Sequence, residues 1–171
     1  MKETKKITVS AFAAAISTVL CILSSVFPTM SLTVLAVCGL ISALALNLSG
    51  YRYALLQYVA VSVLALVLSP DKSCAVYYIF LFGHYPILKA VFERISNSFF
   101  RWGAKLLCAN LFGLISLWIV SRFLGVSDII SDTSKIAFFA LYNIAFVLYD
   151  ICLGRLIFLF LIKRRGKGGF R

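Results

Sequence analysis

The sequence predicts an all-α integral membrane protein, a compact bundle of six transmembrane helices with both termini in the cytoplasm. Three observations carry that reading. Six apolar stretches, each long enough to cross a bilayer, take up nearly all of the 171 residues, since about 20 helical residues cover the roughly 30 Å hydrocarbon core. Hydrophobic residues make up 62% of the chain and charged ones 13%, whereas a soluble domain carries about 25% charge. Finally, the basic residues that give the net charge of +11 gather at the two ends of the chain.

The spans fall near Ile7–Phe27, Ser31–Leu48, Tyr51–Leu68, Cys74–Phe92, Trp102–Ser121 and Lys135–Ile162. The first follows Lys2, Lys5 and Lys6 and resembles a secretory signal only superficially. Its apolar run is about 20 residues, longer than an h-region, and no small-x-small cleavage site follows Phe27. Pro28-Thr29 turns the chain outside, Leu48-Ser49-Gly50 turns it inside, and Ser69-Pro70-Asp71-Lys72-Ser73 turns it outside again. Each turn holds residues that break helices, and each is short enough to make its neighbours antiparallel. The sixth span is long enough to tilt or to run on along the cytoplasmic surface. No composition shift or repeat marks a second domain, so 1–171 reads as one six-helix domain. The connection from Arg122 to Ser134 is the longest outer loop and the one with room to act as a lid.

Orientation follows from charge. Lys163, Arg164, Arg165, Lys167 and Arg171 follow the last span, and Arg52, Arg94 and Arg101 lie in the connections on the same side as the N-terminus. The opposite side keeps Lys72, Arg122 and Lys135. This is the positive-inside pattern of a multi-pass cell-membrane protein, and it argues against nucleic-acid binding because the charge flanks spans rather than forming one basic face.

Several residues inside or beside the spans are candidates for function. Ala11 and Ala15 form a small-xxx-small pair on the first helix, as Gly39 and Ala43 do on the second; such a face packs helices within a bundle or docks another protein. Lys89 and Asp150 each lie fifteen residues from the outer starts of two spans that run the same way, Cys74 and Lys135. Glu93 and Arg155 lie at a second matched depth, so the pairs Lys89–Asp150 and Glu93–Arg155 would clip the two helices together; alternatively Lys89 and Arg155 snorkel to the headgroups. His84 stands between Gly83 and Tyr85-Pro86, where proline kinks a helix. With Tyr77 and Tyr78 it would line a ligand cavity, or it is a core histidine bonded to a neighbouring carbonyl. Asn110, Trp118, Tyr142 and Asn143, with Lys72 and Arg122 at the rim, suit a pocket opening outward for a small ligand with an anionic part; each also suits interhelical or interfacial packing.

Catalytic and cofactor chemistry finds no constellation. The five cysteines are scattered without paired spacing, and the single histidine has no partner at helical ligand spacing, so neither a metal nor a disulfide framework is expected. No G-x-S-x-G serine accompanies His84, the six acidic residues are dispersed, and no Walker sequence occurs. The expectation is no enzyme, no cofactor and no energy source of its own.

Six spans, both ends inside, a basic N-terminus running into Val9-Ser10-Ala11-Phe12-Ala13-Ala14-Ala15 and an outward polar rim together resemble the substrate-binding S components of energy-coupling factor (ECF) transporters. In that family an A-x-x-x-A pattern on the first helix docks against the transmembrane coupling protein, and Ala11 and Ala15 occupy the matching positions. The resemblance implies a lipid-embedded subunit that captures a vitamin-like or other micronutrient at its outer face. Its partners would be a coupling protein and two cytoplasmic ABC-type ATPases. No branch-specific substrate signature is present. The alternative is a small membrane scaffold or assembly protein that uses the same alanine face without a small-molecule ligand.

Overall fold

The computed structural model describes residues 3–123 and 132–167, every element of which is helical. The chain divides into two compact units, Met1–Ile129 and Ile130–Arg171. The first holds α1 (Glu3–Val26), α2 (Ser31–Ser49), α3 (Tyr51–Leu68), α4 (Lys72–Tyr77), a π-helical segment (Tyr78–Gly83), α5 (Tyr85–Phe92) and α6 (Ser98–Phe123). The second holds α7 (Asp132–Lys167). Six helices are long and apolar enough to cross a membrane: α1, α2, α3, the stretch Lys72–Phe92 that combines α4, the π-helical segment and α5, then α6, and Phe139–Phe160 within α7.

Small side chains make up most of the interior of the first unit, and many large apolar ones lie outside. The core joins Cys21 of α1, Leu35 and Cys38 of α2, Val61 and Ala65 of α3, and Cys74, Ala75 and Tyr78 of the fourth stretch. By contrast Phe12, Val19 and Val67 are 68%, 63% and 70% exposed. Helices meant for lipid gain nothing by hiding leucine from hydrocarbon, but they gain dispersion contacts when small residues let backbones approach. Thus α1 packs along α2 and α3 through Ser10, Ala13, Ser17, Cys21 and Ser24. Gly39 and Ala43 of α2 are buried in the same way, which makes their small-xxx-small pair internal packing.

Polar groups bridge these close contacts. The Ser10 hydroxyl donates to Tyr53 O at 2.8 Å, linking α1 to α3, and the Tyr53 hydroxyl donates to the Glu3 carboxylate. Deeper in the unit, Gln57 Nε2 of α3 donates to Ser42 Oγ of α2 at 3.4 Å. Such bonds fix register between helices whose apolar surfaces alone would slide.

The turns follow from local chemistry. Gly50 has φ +95° and ψ 173°, a conformation reserved for glycine, and its N–H bonds Leu46 O at 3.0 Å to end α2 before α3 begins. Asp71 caps α4 by accepting from Ser73 N at 2.9 Å. Asn97 caps α6 by accepting from Phe99 N at 3.0 Å. The expected lid, Arg122 to Ser134, has its middle residues 124–131 outside the described residues.

Candidate functional site

The fourth membrane-length stretch does not run as one regular helix, and the cause lies in Pro86. Its ring removes an N–H donor and crowds the preceding turn, so the chain widens into the π-helical segment Tyr78–Gly83 before restarting at α5. Ile87 N and Leu88 N both bond His84 O, at 3.1 Å each, which makes His84 the start of the new helix.

Widening leaves the Ile79 carbonyl available to side chains. Tyr58 of α3 donates its hydroxyl to Ile79 O at 3.2 Å, and His84 Nδ1 lies 2.9 Å from the same oxygen. A carbonyl only accepts, so Nδ1 carries the hydrogen, and in the neutral ring Nε2 keeps its lone pair. The His84 ring packs on Phe112 of α6 with centroids 4.3 Å apart, and edge-on to Tyr58 at 6.4 Å. Gly83 admits this arrangement, because a Cβ there would come within 2.8 Å of Tyr58 Cδ2 and 2.9 Å of Tyr78 Cε1.

These residues border a cleft of about 270 Å³. Tyr58, His84 and Phe112 form its floor with Phe80, whose ring lies 6.4 Å from that of Phe112. Tyr51 and Leu55 stand at its more exposed edge, at 51% and 44% exposure. The cleft is therefore mainly apolar and aromatic, with the His84 imidazole and the hydroxyls of Tyr51 and Tyr58 as its polar lining groups.

Of the residues singled out in the sequence, His84 alone borders the cleft. Tyr78 is fully buried in the core, with Tyr77 packed at the edge of that core. Lys72 turns back on α3, donating from Nζ to Leu66 O and Ser69 O at 2.8 Å each and to Val67 O at 3.4 Å. It precedes His84 by twelve residues, roughly 18 Å along a helix, so the two do not share a site. Asn110 is half-buried on α6, while Trp118 is 61% exposed beside Phe123 and Arg122 is exposed in the last turn. In the second unit, Asn143 Nδ2 donates to Phe139 O at 2.8 Å on its own helix, and Tyr142 lies 6.5 Å from the Phe139 ring.

A second polar centre joins α5 to α6. Lys89 Nζ lies 3.6 Å from Glu93 Oε1, and Lys105 Nζ approaches the same oxygen at 3.8 Å. Both lysine side chains are almost wholly buried, at 4% and 5% exposure, whereas Glu93 is 52% exposed. Lys105 also sits 5.3 Å from the Trp102 ring centroid, close enough for a cation–π contact. Glu93 thus anchors two cations within the first unit; Asp150 and Arg155, the sequence-expected partners of Lys89 and Glu93, belong to α7.

On α1 the small residues divide between two faces. Ser10, Ala13 and Ser17 are buried, but Ala11 and Ala15 are exposed, as are Phe12 and Ile16 beside them. Tyr58, Phe112 and Lys105 went unmarked in the sequence, because an aromatic ring in an apolar span, or a lysine near a span end, carries no local signal of what it faces. No protein-family model, curated protein or solved structure matches the chain.

Proposed function

We propose that this chain is the substrate-binding membrane subunit of an ECF-type ABC importer. It lies in a cell membrane with both termini in the cytoplasm and captures a vitamin-like or other micronutrient at its outer face. Transport is powered by two cytoplasmic ABC-type ATPases through a transmembrane coupling protein. The observation that carries the reading is the division of small residues on α1. The internal face is already supplied by Ser10, Ala13 and Ser17, so packing within the first unit does not account for the exposed Ala11 and Ala15. Two exposed alanines one turn apart let a second helix come close in lipid. The basic residues around the termini support the orientation.

One observation favours a second reading, a scaffold without a small-molecule ligand. Lys72 and Tyr78, which would have served an outer pocket, are occupied in helix termination and core packing. The two readings separate by what co-purifies with the tagged chain, a coupling protein and ATPases or other membrane proteins without ATPases, and the docking face is tested by changing Ala11 and Ala15 both to leucine. The transporter reading expects the tagged variant to retain its gel-filtration profile and lose co-purification of the coupling protein and ATPases. Unchanged recovery of both would remove the docking role of this face.

A further inference from the structure

We propose that the cleft among α3, the π-helical segment, α5 and α6 is a binding site for a bicyclic aromatic molecule bearing one N–H or O–H donor, which lies among Tyr58, Phe80 and Phe112 and donates to His84 Nε2. The proposal concerns this cleft alone and does not rest on the transporter reading. Three features of the cleft select this occupant.

Size comes first. A dry cavity of about 150 Å³ holds one benzene ring, so the 270 Å³ of this open cleft has room for two fused rings. Shape is second: Phe80 and Phe112 are tilted by 37° and His84 and Phe112 by 59°, leaving ring faces and edges to receive an aromatic guest in offset or edge-on contact. The third is hydrogen bonding. Ile79 O holds the Nδ1 hydrogen of His84, so the neutral ring offers a lone pair at Nε2, which has no partner among the described residues. The Tyr58 hydroxyl is already given to Ile79 O. At its inner part, away from Tyr51 at the exposed edge, the lining therefore asks for one donor from the guest. In apolar surroundings a matched donor is favoured over a bare hydrocarbon of the same shape, because water does not compete for the acceptor.

The probe pair is 2-naphthol and 2-methoxynaphthalene, of similar shape but with and without a donor, titrated by calorimetry into the purified full chain in phosphatidylcholine nanodiscs. Empty nanodiscs measure partitioning into lipid. The expected result is saturable one-to-one binding, with 2-naphthol about tenfold tighter. His84→Phe abolishes the preference, and Leu88→Trp, which fills the cleft from its lining, abolishes binding of both probes; circular dichroism and gel filtration confirm that each variant is folded. Uptake that matches empty nanodiscs would overturn the site. Equal affinity for the two probes, or a preference that survives in His84→Phe, would overturn the donor-to-histidine pairing and leave a slot for lipid chains. Because the titration uses the chain without partners, its failure leaves the ECF reading standing, and loss of partner docking leaves the cleft standing.

Discussion

Gly83 and His84 show how much depends on single positions. The absence of a side chain at Gly83 lets the Tyr58 ring reach the π-helical segment and places its hydroxyl on Ile79 O. Gly83→Ala forces a Cβ to within 2.8 Å of that ring, and overpacking of this kind costs about 1–3 kcal/mol. The variant is expected to unfold at lower temperature in detergent, as followed by circular dichroism, and to lose the cleft's ligand preference; an unchanged melting curve would mean that α3 moves aside freely. His84 and the kink at Pro86 were legible in the sequence, because an imidazole and a proline inside an apolar run are each exceptional. Tyr58 and Phe112 were not, since hydropathy marks them as ordinary span residues and their partners come from other helices. The depth of Lys72 was readable, but its turn back onto the α3 carbonyls was not, because it depends on Ser69-Pro70 folding the chain beneath it.

Between elements, α5 and α6 are joined by Lys89, Glu93 and Lys105. Glu93→Gln keeps the shape and removes the charge facing two buried ammonium groups. Its cost is expected to be about 1–3 kcal/mol, larger than that of Glu3→Gln, whose contacts with Lys6 and Tyr53 lie at the surface. Comparison of the two melting shifts checks this, and equal shifts would reduce Glu93 to a surface charge. The bounds of the elements were largely legible. Tyr51–Leu68 is the same span in sequence and structure, because Gly50 and Ser69-Pro70 stop the helix at both ends. The first span begins earlier than expected, at Glu3, since a helix continues past its apolar part when Lys6 and Tyr53 both engage the Glu3 carboxylate. The π-helical widening was not legible, because proline predicts that a helix is disturbed and says little about how the preceding turns absorb it.

At the scale of the whole molecule, apolar patterning indicates the six membrane-length helices, while function turns on surfaces that patterning does not rank. The sequence expectation that Lys89 pairs with Asp150 is tested by a double-mutant cycle with Lys89→Met and Asp150→Asn; a pair gives a coupling of at least about 1 kcal/mol in unfolding free energy, whereas additive losses exclude it. The proposed function turns on assembly, which native mass spectrometry of the tagged protein, extracted from its own membrane in mild detergent, reads out. The expected result is an intact complex containing one copy of this chain, one membrane coupling protein and two ABC-type ATPases, and its loss when Ala11 and Ala15 become leucine. A chain that flies alone, or with membrane proteins but without ATPases, would contradict it.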